Sequence, residues 1–406
     1  MNARKFAVHL TAVAMAAAPL RTPSQAGEIT PTPKAPLPAT TACDDLWNAA
    51  ILYKNETNPI LQEFALQGLF QVQYATGSSN QGNFTSGDLQ SLGTDTWGNL
   101  DVRRWYMGVK STLFHHLKLQ GQAVINPDWG PVYCGLFDAY ASWGIDDQVQ
   151  LYAGKYMVSF TKEYQISSRE IVTLERSMLA NQLSPGQLTG AWVNGKNVAG
   201  FWSYELGIYG ADIQEDFSEF QGGVIVLGKI GYDLASVTGL KKAAAGLHWM
   251  HSTDPGDAGA KPYDNSFALY GEMKQGRWAA TTDLIYATGK NDLTGAVVPN
   301  AWGINIIPTY DITEKLQLSA RYQFASSDQN NGLSLQSRYE RTAPDLAGMN
   351  YKGNQYQAAY LGLNYYLCCQ KLKLMTGVEY AHMQDDAYDG GEYDGWTWTS
   401  GLRMYF

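Results

Sequence analysis

The chain has little charge for its length. Asp, Glu, Lys and Arg make up 17% of its 406 residues, and the formal net charge is -9. A nucleic-acid binder normally shows a basic face, so nucleic acid is excluded as a partner. Long apolar runs are lacking too. After the N-terminus no stretch approaches the ~18 consecutive apolar residues of a membrane helix. There are four cysteines, Cys43, Cys134, Cys368 and Cys369, with neither a CxxC pair nor zinc spacing, so no metal site is expected. The six histidines accompany no nucleophile motif, and neither an enzyme nor a cofactor is expected. His115 and His116 fall in a turn, where a solvated role outweighs a metal pair. The Asp/Gly-rich stretch "DDAYDGGEYDG" lacks the spacing of a calcium loop.

What the chain has in quantity is aromatic residues, 13% of the total with 26 Tyr and 12 Trp, and 41 Gly. Membrane interfaces attract such an aromatic load. Mean hydropathy is nevertheless only -0.27. A β-barrel reconciles the two facts, because its lipid face is hidden in alternation rather than in runs.

The first 26 residues read as a secretory signal: "MNARK" is basic, "FAVHLTAVAMAAAPL" is apolar, and "SQA" is a small-x-small cleavage site before Gly27. Residues 27–43 are a Pro/Thr-rich linker. Cys43 follows "TTA", which lacks the leucine of a lipobox, so a lipid anchor is not expected there. Export permits disulfides, and either Cys368 or Cys369 is a candidate partner for Cys43. Residues 44–65 carry apolar residues at roughly helical spacing, broken at Asn58-Pro59, and are expected to form a short helical periplasmic segment.

From residue 66 to 406 the period is two. In "LQLSARYQFA", Leu316, Leu318, Ala320, Tyr322 and Phe324 alternate with Gln317, Ser319, Arg321 and Gln323. The closing "WTWTSGLRMYF" puts Trp396, Trp398, Leu402, Met404 and Phe406 on one wall, and Arg403 with the threonines on the other. Side chains alternate faces along a strand, so each segment has one apolar and one polar wall. About sixteen such strands are expected, an even number as single-chain outer-membrane barrels have. Short turns such as "FHH" and "CCQK" alternate with long Gly/Asp/Asn-rich connections, the pattern of periplasmic turns and external loops. The expected fold is an all-β transmembrane antiparallel barrel in the outer membrane of a Gram-negative-type bacterium. A secreted soluble β-protein is disfavoured, because inward polar residues on nearly every strand would deny it a core.

"LDVRRWYMGVKSTL", "LFDAYASWGI", "VQLYAGKYMVSFTKEYQISSREIVTLERSM" and "LSPGQLTGAWVNG" resemble the phosphate-selective porin O/P family over roughly the first half of the barrel. The resemblance implies a trimeric sixteen-stranded channel whose third external loop, 161–187, folds into the barrel. It places Arg103 and Arg104 as constriction arginines, Asp138 as the acid of the "DAY" strand, Ser167 and Ser168 as the loop hydroxyl pair, and Lys162 near the loop lysine. Guanidinium and hydroxyl donors suit a tetrahedral oxyanion. Ser167 and Ser168 also read as an N-cap.

Two departures from the family stand out. Leu69 occupies the place of an arginine in the family's first strand. Strand parity sends Arg104 and Lys110 to the lumen and Arg103 outward with Trp105, so Arg103 must sit at a bend or act from the rim. The remaining lumen charges are mixed: Lys118, Lys229, Arg321, Lys373 and Arg403 against Asp138, Glu205, Asp233, Glu272 and Glu379. The function expected is passive diffusion of small anions, with phosphate and other oxyanions as the candidate solutes. A general or carbohydrate porin is the alternative, and a surface adhesin or structural protein the rival of another class. Expected partners are outer-membrane lipids, small anionic solutes, two further copies in a homotrimer, and the barrel assembly machinery through Phe406.

Overall fold

The computed structural model describes residues 42–79, 90–91, 96–127, 130–253, 263–289, 298–335, 339–340, 351–388 and 391–406. The proposed signal and nearly all of the linker lie outside the described residues. Sixteen strands carry the fold. They are β1 Leu61–Ser79, β2 Thr96–Leu113, β3 Leu117–Ile125, β4 Tyr133–Gly144, β5 Val149–Met157, β6 Gln187–Val198, β7 Trp202–Asp212 and β8 Glu219–Asp233, followed by β9 Lys242–Ser252, β10 Tyr263–Gln275, β11 Trp278–Gly289, β12 Ala301–Asp311, β13 Leu316–Ser327, β14 Gln355–Cys368, β15 Leu372–Gln384 and β16 Tyr393–Tyr405.

Every strand pairs antiparallel with the next. β16 closes onto β1, from Leu69↔Tyr405 to Ser79↔Gly395. The sheet is therefore a barrel without an edge. Its outer wall exposes Leu206, Ile208, Leu247, Leu269, Leu284 and Leu361 at mid-strand, with Trp143, Trp302, Trp396 and Trp398 among the aromatics. Such a continuous apolar belt suits lipid rather than water.

The inner wall is not polar throughout, as parity alone implied. Ala268, Ile285, Ala287, Ala301 and Ala325 face inward and pack with Met178, Leu179 and Leu183 of a helix in the β5–β6 connection. Burial of three such side chains stabilises the fold by roughly 1.5–3 kcal/mol each. The small wall residues leave room for that helix.

The segment 44–65 departs from the helical expectation. Helix α1 spans only Ala42–Asn48. Ile51–Lys54 is a short strand on β1, with Ile51↔Ala65 in register. Leu61 onward already belongs to the barrel, opposite Leu113 of β2. Asn55 and Asn58 explain the difference: their side-chain oxygens accept from the Thr57 and Ile60 amides at 3.1 and 2.9 Å, turning the chain into a hairpin. Cys43 of α1 is disulfide-bonded to Cys368 at the end of β14, and the Trp47 indole N–H donates to Tyr405 O at 2.6 Å. Cys369 is exposed and Cys134 is partly buried, both as free thiols.

Candidate functional site

The connection 158–186 between β5 and β6 lies inside the barrel. It contains α2 (Lys162–Gln165) and α3 (Met178–Leu183). Thr161 caps α2, its hydroxyl accepting from the Tyr164 amide at 3.1 Å. Wall side chains from β9 to β16 grip its backbone. Asp283 accepts from the Lys162 and Glu163 amides at 2.7 and 3.0 Å. Gln323 accepts from the Met178 amide at 2.7 Å. Asn364 donates to Val172 O at 2.8 Å, Lys373 to Ile171 O at 3.0 Å, and Arg403 to Ile171 O and Leu174 O at 3.1 and 3.4 Å. His248 bonds Phe160 O through Nδ1.

Two loop carboxylates tie this strap together. Glu163 is buried; it accepts from the Ser177 amide and hydroxyl and from Asn305 Nδ2, and lies 3.5 Å from Arg321. Arg321 also pairs with Glu379 at 2.5 Å and donates to Glu175 O at 2.6 Å. Glu175 receives both sequence-predicted arginines. Arg103 binds it through Nε and Nη2 at 2.6 and 3.1 Å, and Arg104 Nη2 approaches at 3.3 Å while Nη1 donates to Gln71 at 2.8 Å. Burial alone would raise the Glu175 carboxyl, but Arg103 and Arg104 outweigh it and hold the group well below the usual carboxylate range.

Adjacent strand residues should not share a face. The register explains why these two do: Gln71 pairs with Arg104 while Val72 pairs with Val102, so Arg103 is an extra residue in a β-bulge. The bulge is the bend that parity demanded. It also changes the arginines' role, since they close on a loop carboxylate rather than stand free in the pore.

The other sequence-predicted residues are distributed unevenly. Asp138 is buried, in register with Gln122, and its Oδ1 has no hydrogen-bond partner among the described residues. Arg169 donates to Gln122 at 2.8 Å. Ser167 accepts from the Arg169 amide at 3.3 Å and so caps a turn rather than a helix. Ser168 is buried beside it. Lys162 pairs with Glu272 at 3.1 Å and sits 4.9 Å over the Tyr270 ring. Lys229 pairs with Glu205 at 2.9 Å. Lys110 pairs with Glu63 at 3.4 Å, and Lys118 is exposed near the short-turn end. Asp233 caps the following turn, accepting from the Ala235 amide at 2.8 Å. Arg321, Lys373 and Arg403 do face inward, but they are buried on the loop instead of standing in water.

Sequence reasoning missed Glu163, Glu175 and Asp283, and it missed the inward aromatics. Tyr140 shares the parity of Asp138, and Tyr152 and Tyr156 share one face of β5, so parity was an available signal for the rings. Lys162, Lys229, Glu205, Glu272 and these rings line an open cavity of about 720 Å³.

Comparison with known proteins agrees with the resemblance of the first half. The sequence model of the family described as phosphate-selective porin O and P matches residues 75–224. No curated protein matches the chain in sequence. Among solved structures, the fold is similar to an anion-selective porin from Comamonas acidovorans (TM-score 0.57, 13% identity, 84% of this chain and 99% of that one). It is also similar to the outer-membrane channel DcaP of Acinetobacter baumannii (0.53, 14%, 87% and 99%). A third is the trimer form of OmpT, an outer-membrane protein of Vibrio cholerae (0.51, 12%, 84% and 99%). The chain has the closed sixteen-strand antiparallel barrel fold of these outer-membrane porins.

Proposed function

We propose that this chain is a passive outer-membrane channel for small anions, with its filter at the inserted loop. The observation that carries the reading is the state of the lumen cations. Arg169 rests on the Gln122 amide and Arg403 on loop carbonyls. Neither has a contact carboxylate among the described residues. Guanidinium groups stay charged in proteins. Neutral acceptors hold these cations in place without cancelling their field, and a narrow pore lined by fixed positive charge favours anions. Arg169, held by Gln122, the register partner of Asp138, marks the level at which an oxyanion would meet a donor. The short-turn end, which carries both α1 and the end of β16, is assigned to the periplasm, and a homotrimer is the assembly proposed.

The test is single-channel conductance in a chloride gradient. The expected reversal potential favours chloride, phosphate reduces chloride current, and Arg169→Ala weakens both effects. Current that phosphate leaves unchanged would remove the oxyanion assignment. A barrel that passes no current at all would favour the adhesin or structural role.

A further inference from the structure

The cavity of about 720 Å³ has two unlike walls. One is aromatic. Trp192 of β6 lies in offset stacking with Tyr152 (centroids 4.9 Å, planes 8° apart) and with Tyr156 (5.7 Å, 14°). Tyr140 meets Tyr156 edge to face at 4.9 Å. Tyr152 and Tyr156 flank Gly154, which faces Gly190 across the ladder. Gly154 has φ +130°, and a Cβ there would come 2.3 Å from Ala139 O and 2.6 Å from Tyr140 Cα. Only glycine therefore fits at this point of the wall between the two tyrosines. The other wall is ionic and already neutralised: Lys162 with Glu272, and Lys229 with Glu205. Gln165 and Asn194 add amides between them.

We infer that this chamber is a binding subsite for a neutral pyranose ring. A simple oxyanion gains little there, because each lysine is in contact with a carboxylate that repels it. A pyranose instead offers one apolar C–H face for the partly exposed Tyr152 and Tyr156 rings, which Trp192, itself buried and stacked against both, holds in place. Its hydroxyl rim both donates and accepts, which matches lysine donors, carboxylate acceptors and two-way amides. The cavity's size falls within the ordinary range of small-molecule sites, about 300–1,000 Å³. The subsite requires an open channel but not an anion-selective one, so it goes beyond the anion reading.

The experiment is block of single-channel potassium chloride current by added maltotriose, with mannitol as an acyclic polyol and benzoate as a planar anion. Maltotriose should reduce the current at millimolar concentration while mannitol does not. Trp192→Ala should raise the half-blocking concentration at least tenfold, and Trp192→Phe should retain most of the block. The reversal potential should be the same in both variants, which separates this subsite from the anion filter. If Trp192→Ala fails to form a heat-resistant barrel, Tyr152→Ala replaces it with the same expectation. Three results would each overturn the inference: no block by maltotriose in the unsubstituted protein, equal block in the ring-deleted variant, or block by benzoate in its place.

Discussion

Glu175 decides what Arg103 and Arg104 can do. With both guanidiniums committed to one carboxylate, their charge is largely spent on holding the loop. Glu175→Gln should free part of it, and the reversal potential in a chloride gradient should move further toward chloride. An unchanged potential would place the arginines outside the ion path. The carboxyl is held below its usual range in the folded state, so the stability it contributes is fully present above its unfolded pKa, about 4.3 for a glutamate. That contribution is lost only as pH falls through the lower, folded value. The open-channel current should therefore show no loop release between pH 7 and 4.5, whereas Glu175→Gln should remove any acid-induced change found below that range. The pairing of adjacent arginines was legible as a problem, because strict alternation cannot place both inside. The bulge was the missing piece, and nothing in "LDVRRWYM" marks a bulge locally. Glu175 was harder to see, since its partners lie more than seventy residues away.

The strap 158–186 is held by the wall opposite its own strands. Lys373 and Arg403 share the Ile171 carbonyl. Truncating both to methionine leaves buried carbonyls without donors, at about 1–3 kcal/mol for each lost partner. The loop should loosen, and single-channel records should show larger and noisier conductance than the unsubstituted channel. Steady conductance in the double variant would mean that α3 packing alone fixes the loop. Strand positions were readable along the chain because lipid imposes a period-two code on each strand separately. Parity also told which residues face inward. It could not tell what they meet, because Arg403 and Ile171 are 232 residues apart and neither carries a local sign of the other. The helical reading of 44–65 failed for a related reason: Asx turns at Asn55 and Asn58 redirected a segment whose apolar spacing fits either structure.

For the whole molecule, the barrel closes twice, once by the β1–β16 ladder and once by the Cys43–Cys368 bond. A disulfide of this kind typically contributes about 2–4 kcal/mol. Cys43→Ser should therefore lower the temperature at which the barrel loses its compact form on an unheated gel. The unsubstituted protein treated with reductant should match it. Equal melting of all three forms would show that the ladder alone sets stability. Sequence left two partners open for Cys43, the neighbours Cys368 and Cys369. The choice between them is geometric: Cys368 ends β14 beside α1, whereas Cys369 turns away with φ 52° and stays exposed.

That bond has a further consequence for how the chain is built. Residues 43 to 368 form a single covalent ring, and of the sixteen strands only the last two, β15 and β16, lie outside it. Where that bond forms before the barrel closes, β15 and β16 are the strands that can still move relative to the ring. Seating that hairpin against β1 is then the final docking of a lariat rather than the zipping of an open sheet.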